Sequence, residues 1–470
     1  MRKIEIYGYF SLFKISILWG MNQTIVAPMT PSGVSAVAAI RVSGTKVRHV
    51  VHALFGEFAE KSLQSHKAKL ATAKDPGTGE TIDSLLYLFF EGPNSYTGED
   101  VLELYPHGNP LIVKELLTVI RRIDGVRLAH PGEFTRRSFL NGKMDLVQEE
   151  SVAEVIHSAN RAELKNAHRL LKGVLSRQIE ELTKNVLDIS ARLELDVDFA
   201  EEEADPDYGS WQNKILVIRE HIQKMIRSFK NHSQNASLPL VVIYGAPNAG
   251  KSSLVNALLG EDRILVSEIA GTTRDFVEVR LLLDNGEIRL IDTAGISENP
   301  QNELDALGMQ KSKEILEEAS LRIYVLDSSK EISAEECEKI KDALDRDAIV
   351  LLSKSDIAVA NELELHRNMI AVSAKTNEGI DKLTSALNKR LFAEINDSED
   401  LWITSEREKD ALEEALQGVD RALSQLRKNP QVELIAFEMQ VVRRALQTIT
   451  GEISSEDVLQ SIFAGFCIGK

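Results

Sequence analysis

The run Gly245-Ala246-Pro247-Asn248-Ala249-Gly250-Lys251-Ser252 constrains this chain more than any other feature. It follows the apolar residues 240–243 and opens a helical pattern over 253–259. Strand, glycine-rich turn and helix in that order make a phosphate-binding loop. Successive backbone N–H groups and the helix N-terminus cradle a β-phosphate. Lys251 then reaches the β- and γ-phosphates, and the Ser252 hydroxyl can ligate Mg²⁺. The expected ligand is a nucleoside triphosphate, and residues 238–391 alternate strands and helices as a doubly wound sheet requires.

A chain of 470 residues is too long for one core, so several domains are expected. The formal charge of −17 argues against non-specific polyanion binding, and any nucleic-acid contact must use a local basic patch. The two cysteines, Cys337 and Cys467, lie far apart, which argues against a disulfide framework or zinc site and fits a reducing cytoplasm. No 18-residue uncharged apolar run is present, so no transmembrane helix is expected. Residues 1–20 superficially resemble a signal peptide, with Arg2 and Lys3 ahead of an apolar stretch. Glu5 and Lys14 interrupt that pattern, and Met21 begins a strand-like segment. The first twenty residues therefore read as a mis-assigned start or a disordered extension.

Four regions follow from pattern changes. Residues 21–141 read as an α+β domain, with strands over 34–42 and 85–90 and a helix over 110–123. Residues 142–237 turn to long amphipathic helices, in which Leu171, Val174, Leu175, Ile179, Leu182, Val186, Ile189 and Leu193 recur at helical spacing. The α/β domain spans 238–391, and helical patterns return over 406–426, 433–447 and 454–463. Helical segments on both sides of one α/β domain suggest an insertion, with 142–237 and 392–470 forming a single all-α domain.

Three further motifs specify the nucleotide site. The strand Arg289-Leu290-Ile291 ends in Asp292-Thr293-Ala294-Gly295, where Asp292 can hold Mg²⁺ through water and the Gly295 N–H can sense the γ-phosphate. Between the two lies Ile269-Ala270-Gly271-Thr272-Thr273-Arg274-Asp275, of which Thr273 is expected to complete the Mg²⁺ shell. Base choice falls to Ser353-Lys354-Ser355-Asp356, after the strand 348–352. Asp356 can accept from guanine N1–H and N2–H₂, Lys354 can lie over the purine, and Ser373-Ala374-Lys375 can cover O6. Ser353 stands where such motifs usually carry Asn, which implies loss of an amide brace to the phosphate loop. GTP rather than ATP is the expected nucleotide. The position after Gly295 is Ile296, which cannot orient water as the glutamine of small GTPases does. The Asn248 carbonyl can instead ligate a monovalent cation beside the phosphates.

With Gly92-Pro93-Asn94-Ser95-Tyr96-Thr97-Gly98-Glu99-Asp100, His130-Pro131-Gly132-Glu133-Phe134 and the terminal Phe466-Cys467-Ile468-Gly469-Lys470, these motifs resemble the MnmE (TrmE) family of bacterial tRNA-modification GTPases from Met21 to Lys470. The resemblance implies an N-terminal dimerisation domain, a helical domain from two segments and an inserted Ras-like GTPase domain. It implies nucleotide contacts from Asn248, Ala249, Gly250, Lys251, Ser252 and Ser253, from Ser267, Glu268, Ile269, Ala270, Gly271, Thr272 and Thr273, and from the two later motifs. It maps K⁺ onto Asn248, Ser267, Ile269 and Thr272, Ser267 being commonly Thr in the family. The family's water-orienting glutamate maps onto Asp305, one methylene shorter, with Glu303 nearby.

By the same resemblance, 5-formyl- or 5,10-methylene-tetrahydrofolate is held by Arg41, Glu103, Lys143 and Lys470, and Cys467 belongs to the modification centre. The implied partners are a second copy of the chain, tRNA, and an FAD-binding subunit of the GidA (MnmG) type. The implied reaction adds an aminomethyl-type group at C5 of the wobble uridine. Two other readings compete: a ribosome-assembly GTPase, against which the acidic region after Ala393 argues, and a membrane-associated signalling GTPase, for which no basic amphipathic anchor is evident.

Overall fold

The computed structural model describes residues 23–198, 208–229, 238–260, 277–292, 314–357, 369–392, 401–428 and 431–455, with Val458, Leu459, Ile462, Phe463, Phe466 and Gly469 beyond them. These residues fall into two compact units, one containing 169–224 and 410–470 with the N-terminal part up to Ala153, the other joining 154–168 to 225–409.

In the first unit, β1 (Thr24–Pro28), β2 (Ile40–Ser43), β3 (Ala68–Lys74), β4 (Thr81–Phe90), β5 (Val101–Tyr105) and β6 (Val126–Leu128) form one sheet in the order β3-β4-β5-β2-β1-β6. Only the β1–β6 pair is parallel. Alternation sets the buried face: Leu85, Tyr87 and Phe89 of β4 point inward, while Ser84 and Leu86 do not. Their partners are Val47, Val50, Val51 and Leu54 of helix Val47–Phe55, and Leu116, Val119 and Ile120 of helix Pro110–Arg121. The second helix starts where its sequence directs, with Pro110 in the first turn and the Asn109 side chain accepting from Leu111 N at 2.9 Å.

The strand expected over 34–42 is shorter. Pairing begins at Ile40, while Val34 and Val37 are exposed and Ser35 makes only an isolated bridge to Gly108. The apolar residues there lack a facing layer, so their pattern does not impose a strand.

The long helices match their apolar stripes. Leu175, Ile179, Leu182, Val186, Ile189 and Leu193 are buried in helix Val174–Asp198, as are Ile435, Met439, Val442, Leu446 and Ile449 in helix Val432–Thr450. Gly418 of helix Glu406–Lys428 permits close approach, since a Cβ there would stand 2.9 Å from Val442 Cγ2. The helix expected over 454–463 lies partly outside the described residues.

Residues 154–168, expected among the helical segments, pack instead with the α/β unit. Backbone bonds from Arg161 N to Asn285 O (2.9 Å) and from Glu287 N to Ala159 O (2.8 Å) fix them to a hairpin turn. Asn166 also exchanges hydrogen bonds with the Trp402 backbone, tying in a segment after residue 400.

In that unit, β7 (Leu240–Gly245), β8 (Val277–Leu282), β9 (Glu287–Asp292), β10 (Leu321–Asp327), β11 (Ile349–Ser353) and β12 (Met369–Ala371) form a sheet ordered β12-β11-β10-β7-β9-β8. Every pair is parallel except the β8–β9 hairpin. The chain leaves β7 toward β9 on one side and returns at β10 on the other. That reversal opens a crevice at the carboxyl end of β7.

Buried polar groups knit the first unit together. Arg137, 2% exposed, donates to Glu99 at 2.9 Å, to Glu133 at 3.0 Å and to the Gln23 carbonyl at 2.9 Å. Glu149 is different: it is fully buried and neither oxygen has a well-formed hydrogen bond among the described residues. Burial pushes its carboxyl up to about 9; the Ser138 hydroxyl offsets part of this and the Asp145 charge adds to it. The folded chain thus keeps a proton that the unfolded chain releases above its ordinary value of 4.5. Stability must fall as pH rises from about 4.5 to about 9 and level off above that. Urea unfolding at pH 5, 7 and 9 is expected to show this slope, and Glu149→Gln is expected to flatten it and stabilise the chain at pH 9. An unchanged slope in that variant would contradict the assignment.

Candidate nucleotide and one-carbon sites

The turn after β7 takes its shape from three backbone positions. Gly245 has φ 144°, and a Cβ there would lie 2.3 Å from Val325 O, so only glycine allows β7 to meet β10 this closely. Asn248 (φ 62°) and Gly250 (φ 95°) both occupy the left-handed region and turn the chain into helix Lys251–Leu259. Lys251 is 7% exposed, and its ammonium lies 2.9 Å from both the Gly245 and Ala246 carbonyls. The cation is therefore stationed across the mouth of the loop.

Ser252 Oγ donates to Asp292 Oδ2 at 2.8 Å, and Asp292 is 4% exposed. Register explains the meeting, because β9 pairs Asp292 with Ile243, just short of the loop. Two hard oxygen ligands side by side at a helix N-terminus suit Mg²⁺. Ala249 is buried beneath the loop, and Ser253 is exposed on the first turn of the helix.

On the other flank, β11 delivers the candidate base-reading residues. Lys354, at φ 58°, donates to the Asn248 carbonyl (3.1 Å) and to Asp327 Oδ2 (2.5 Å). Burial raises the Asp327 carboxyl, but the Lys354 ammonium and two bonds from Ser329 outweigh it, so it sits below its ordinary value. Asp356 is exposed, and the buried Ser373 hydroxyl donates to its Oδ1 at 2.8 Å, fixing the carboxylate's orientation while leaving Oδ2 for a base. Ala374 and Lys375 follow in the adjoining turn, Lys375 exposed.

The brace to the phosphate loop is not lost. Ser353 Oγ donates to Ala249 O at 2.6 Å and lies 3.0 Å from Leu326 O. A hydroxyl thus stands in for the amide, which corrects the sequence expectation. Sequence reasoning also missed Asp327, the anchor of Lys354, although Leu326-Asp327-Ser328 at the end of an apolar strand was the available signal.

Ser267, Glu268, Ile269, Ala270, Gly271, Thr272, Thr273, Thr293, Ala294, Gly295, Glu303, Asp305, Cys467 and Lys470 lie outside the described residues.

In the N-terminal unit, β2 pairs Arg41 with Glu103 of β5. Arg41 Nε and Nη2 both donate to Glu103 Oε1, at 3.0 and 2.9 Å, and the Tyr105 hydroxyl donates to Oε2 at 2.5 Å. The guanidinium carbon lies 4.6 Å from the Tyr96 ring centroid. Arg41 Nη1 is buried without a hydrogen-bond partner among the described residues. Lys143 is exposed, and its ammonium donates to the Pro93 carbonyl at 2.9 Å. Arg41 and Lys143 therefore flank one loop, at Tyr96 and Pro93. Arg41 and Glu103 engage each other directly, which spacing did not reveal.

The exposed, Ser373-oriented carboxylate makes Asp356 the candidate for base discrimination. Asp356→Ala in the full chain is expected to weaken GTP binding by at least about 30-fold, because guanine's N–H donors lose their charged acceptor. Competition titrations with ATP are expected to leave the parent's bound GTP in place; equal competition by the two nucleotides would refute the guanine assignment.

Comparison with known proteins agrees with this geometry. The family model described as the GTP-binding protein TrmE N-terminus matches residues 24–143, and that described as the MnmE helical domain matches residues 146–467. The tRNA modification GTPase MnmE of Aquifex aeolicus (strain VF5) is 37% identical over 456 residues, covering 96% of this chain and 100% of that one. Its counterpart in Clostridioides difficile (strain 630) is 34% identical over 459 residues, with 96% and 100% covered. Matched over nearly its whole length, the chain belongs to the MnmE/TrmE family of tRNA modification GTPases.

Proposed function

We propose that this chain is a K⁺-stimulated GTPase that works with an FAD-binding subunit to add a carboxymethylaminomethyl-type group at C5 of the wobble uridine of certain tRNAs, using a tetrahydrofolate one-carbon unit. The observation that carries the GTPase half is the convergence of Lys251, Ser252, Asp292, Lys354 and Asp356 at the carboxyl ends of β7, β9 and β11. Lys251 positions the β- and γ-phosphates, and Ser252 with Thr273 would hold Mg²⁺, Asp292 acting through water. Mg²⁺ bound there offsets phosphate charge as the leaving group departs. Asp356 and Ser373 select guanine. Asn248, with Ser267, Ile269 and Thr272, forms the K⁺ site, and Asp305 orients the attacking water.

The one-carbon half rests on Arg41, whose buried Nη1 is a donor with no acceptor among the described residues. A pterin carbonyl or carboxylate suits that atom. Glu103 holds the guanidinium in place, and Lys143 and Lys470 supply further cationic contacts for an anionic tail. Cys467 belongs to the modification centre. The chain acts as a homodimer in the cytoplasm, with tRNA as substrate, and GTP hydrolysis drives rearrangement of the complex rather than supplying a chemical group.

Mass spectrometry of nucleosides from tRNA of a strain lacking this chain is the direct test. Loss of C5-aminomethyl wobble uridines, restored by the parent but not by Lys251→Ala, is the expected result. An unchanged nucleoside profile would remove tRNA modification and leave a GTPase with another target. Asp305→Ala is expected to bind GTP at parental strength while losing hydrolysis and modification together; full modification without hydrolysis would break the proposed coupling.

A further inference from the structure

We infer that the exposed basic face of helix Arg161–Leu171 is a docking surface for the RNA backbone of the tRNA substrate. The inference rests on the reading of this chain as an enzyme that acts on tRNA. A formal charge of −17 disfavours a polyanion overall, so RNA must meet a local cluster of cations. Residues 161–172 hold four Lys or Arg against one Glu. At helical spacing Arg161, Lys165, His168, Arg169 and Lys172 fall within about 100° of arc. Arg161, Lys165, His168 and Lys172 are exposed, while Ala162, Asn166, Ala167 and Leu170 on the opposite side are buried.

The orientation of this face is fixed before any ligand arrives. Arg161 N donates to Asn285 O at 2.9 Å, which pins the first turn to the β8–β9 hairpin. On the buried side, the Asn166 amide exchanges bonds of 3.0 and 3.2 Å with the Trp402 backbone, so the helix cannot roll. The helix's one carboxylate is spent on its own cap. Glu163 Oε2 accepts from Ala159 N, and Glu163 N donates to Asn160 Oδ1, both at 2.9 Å. Arg161, Lys165 and Lys172 make no salt bridge among the described residues. Cations one turn apart, about 6 Å along the axis, can follow a phosphate backbone and release its counterions.

A neighbouring cavity favours RNA over an acidic protein as the occupant. It measures about 610 Å³ and is lined by Ser158, Asn160, Arg161, Leu164, Leu282 and Asp284, among others. Hydroxyl, amide and carboxylate groups beside leucines suit a base turned out of its stack. Arg161 belongs to both the cavity and the basic face, so one nucleotide can meet the two together. An acidic protein surface has no planar polar group of that kind to place there.

The test measures binding of unmodified tRNA transcripts to the full chain by fluorescence anisotropy, across roughly 50 to 200 mM salt. Thermal unfolding and GTP binding are measured alongside and are expected to stay parental, because the substituted positions are exposed. The triple variant Arg161→Ala, Lys165→Ala, Lys172→Ala is expected to bind tRNA at least about tenfold more weakly and to lower the salt slope by about two to three. The charge-keeping triple Arg161→Lys, Lys165→Arg, Lys172→Arg is expected to bind at parental strength. So is the double variant Lys114→Ala, Arg121→Ala, which removes exposed cations from helix Pro110–Arg121. Parental affinity and slope in a folded triple-alanine variant overturn the proposal, as does an equal loss in the double variant. Polyglutamate of equal charge that displaces tRNA as well as unlabelled tRNA does would assign the face to an acidic protein and overturn the RNA reading. Should the triple-alanine variant unfold, Lys165→Glu decides, and parental binding by it overturns the proposal. A parent that binds no tRNA refutes direct tRNA recognition by this chain, a result separate from any variant's failure.

Discussion

Parallel pairing of β7 between β9 and β10 is the constraint on which the nucleotide site depends. Ile243 stands opposite Asp292, Gly245 opposite Val325, and Asp327 opposite Ser353. These registers bring residues from four stretches of chain to one edge of the sheet. Gly245 is the hinge of the arrangement, because any side chain there would strike the Val325 carbonyl and force β10 away. Moving β10 would carry Asp327 with it, and Lys354 would lose its ion pair. A single backbone contact thus governs the placement of both the loop after β7 and the Lys354 segment.

Local chemistry made this half of the molecule legible. A phosphate loop is contiguous in sequence, and its strand and helix follow from residues that touch one another along the chain. The Ser252–Asp292 pair was also accessible, since both positions belong to known magnesium motifs. Ser353 was misjudged because the comparison was between side-chain types. The outcome turned on reach: the Ala249 carbonyl lies within 2.6 Å of a short hydroxyl, a distance that only the packed sheet defines.

The N-terminal unit was less legible for a related reason. Arg41 and Glu103 were singled out as separate ligands, yet β2–β5 register makes them opposite neighbours. Cross-strand pairing is a long-range fact that neither segment contains. The segment around Val34 and Val37 shows the converse, apolar residues with no layer to cover them. Residues 154–168 illustrate a third limit. Their helical pattern was evident, but the backbone bonds from Ala159 and Arg161 to a distant hairpin decide where they pack.

The two candidate sites use carboxylates in opposite ways. Asp356 is exposed and held through one oxygen by Ser373, so a ligand meets an oriented acceptor with little rearrangement. Glu103 has both oxygens engaged, by Arg41 and Tyr105, and acts first as a holder of the guanidinium. Arg41 Nη1 is then a buried donor with no hydrogen-bond partner among the described residues, Glu103 having taken Nε and Nη2. An unpaired buried donor costs roughly 1–3 kcal/mol, a cost relieved when an acceptor arrives. Under the proposed reading, the nucleotide site would select through an acceptor set in advance. The N-terminal site would select through a donor that no described residue satisfies.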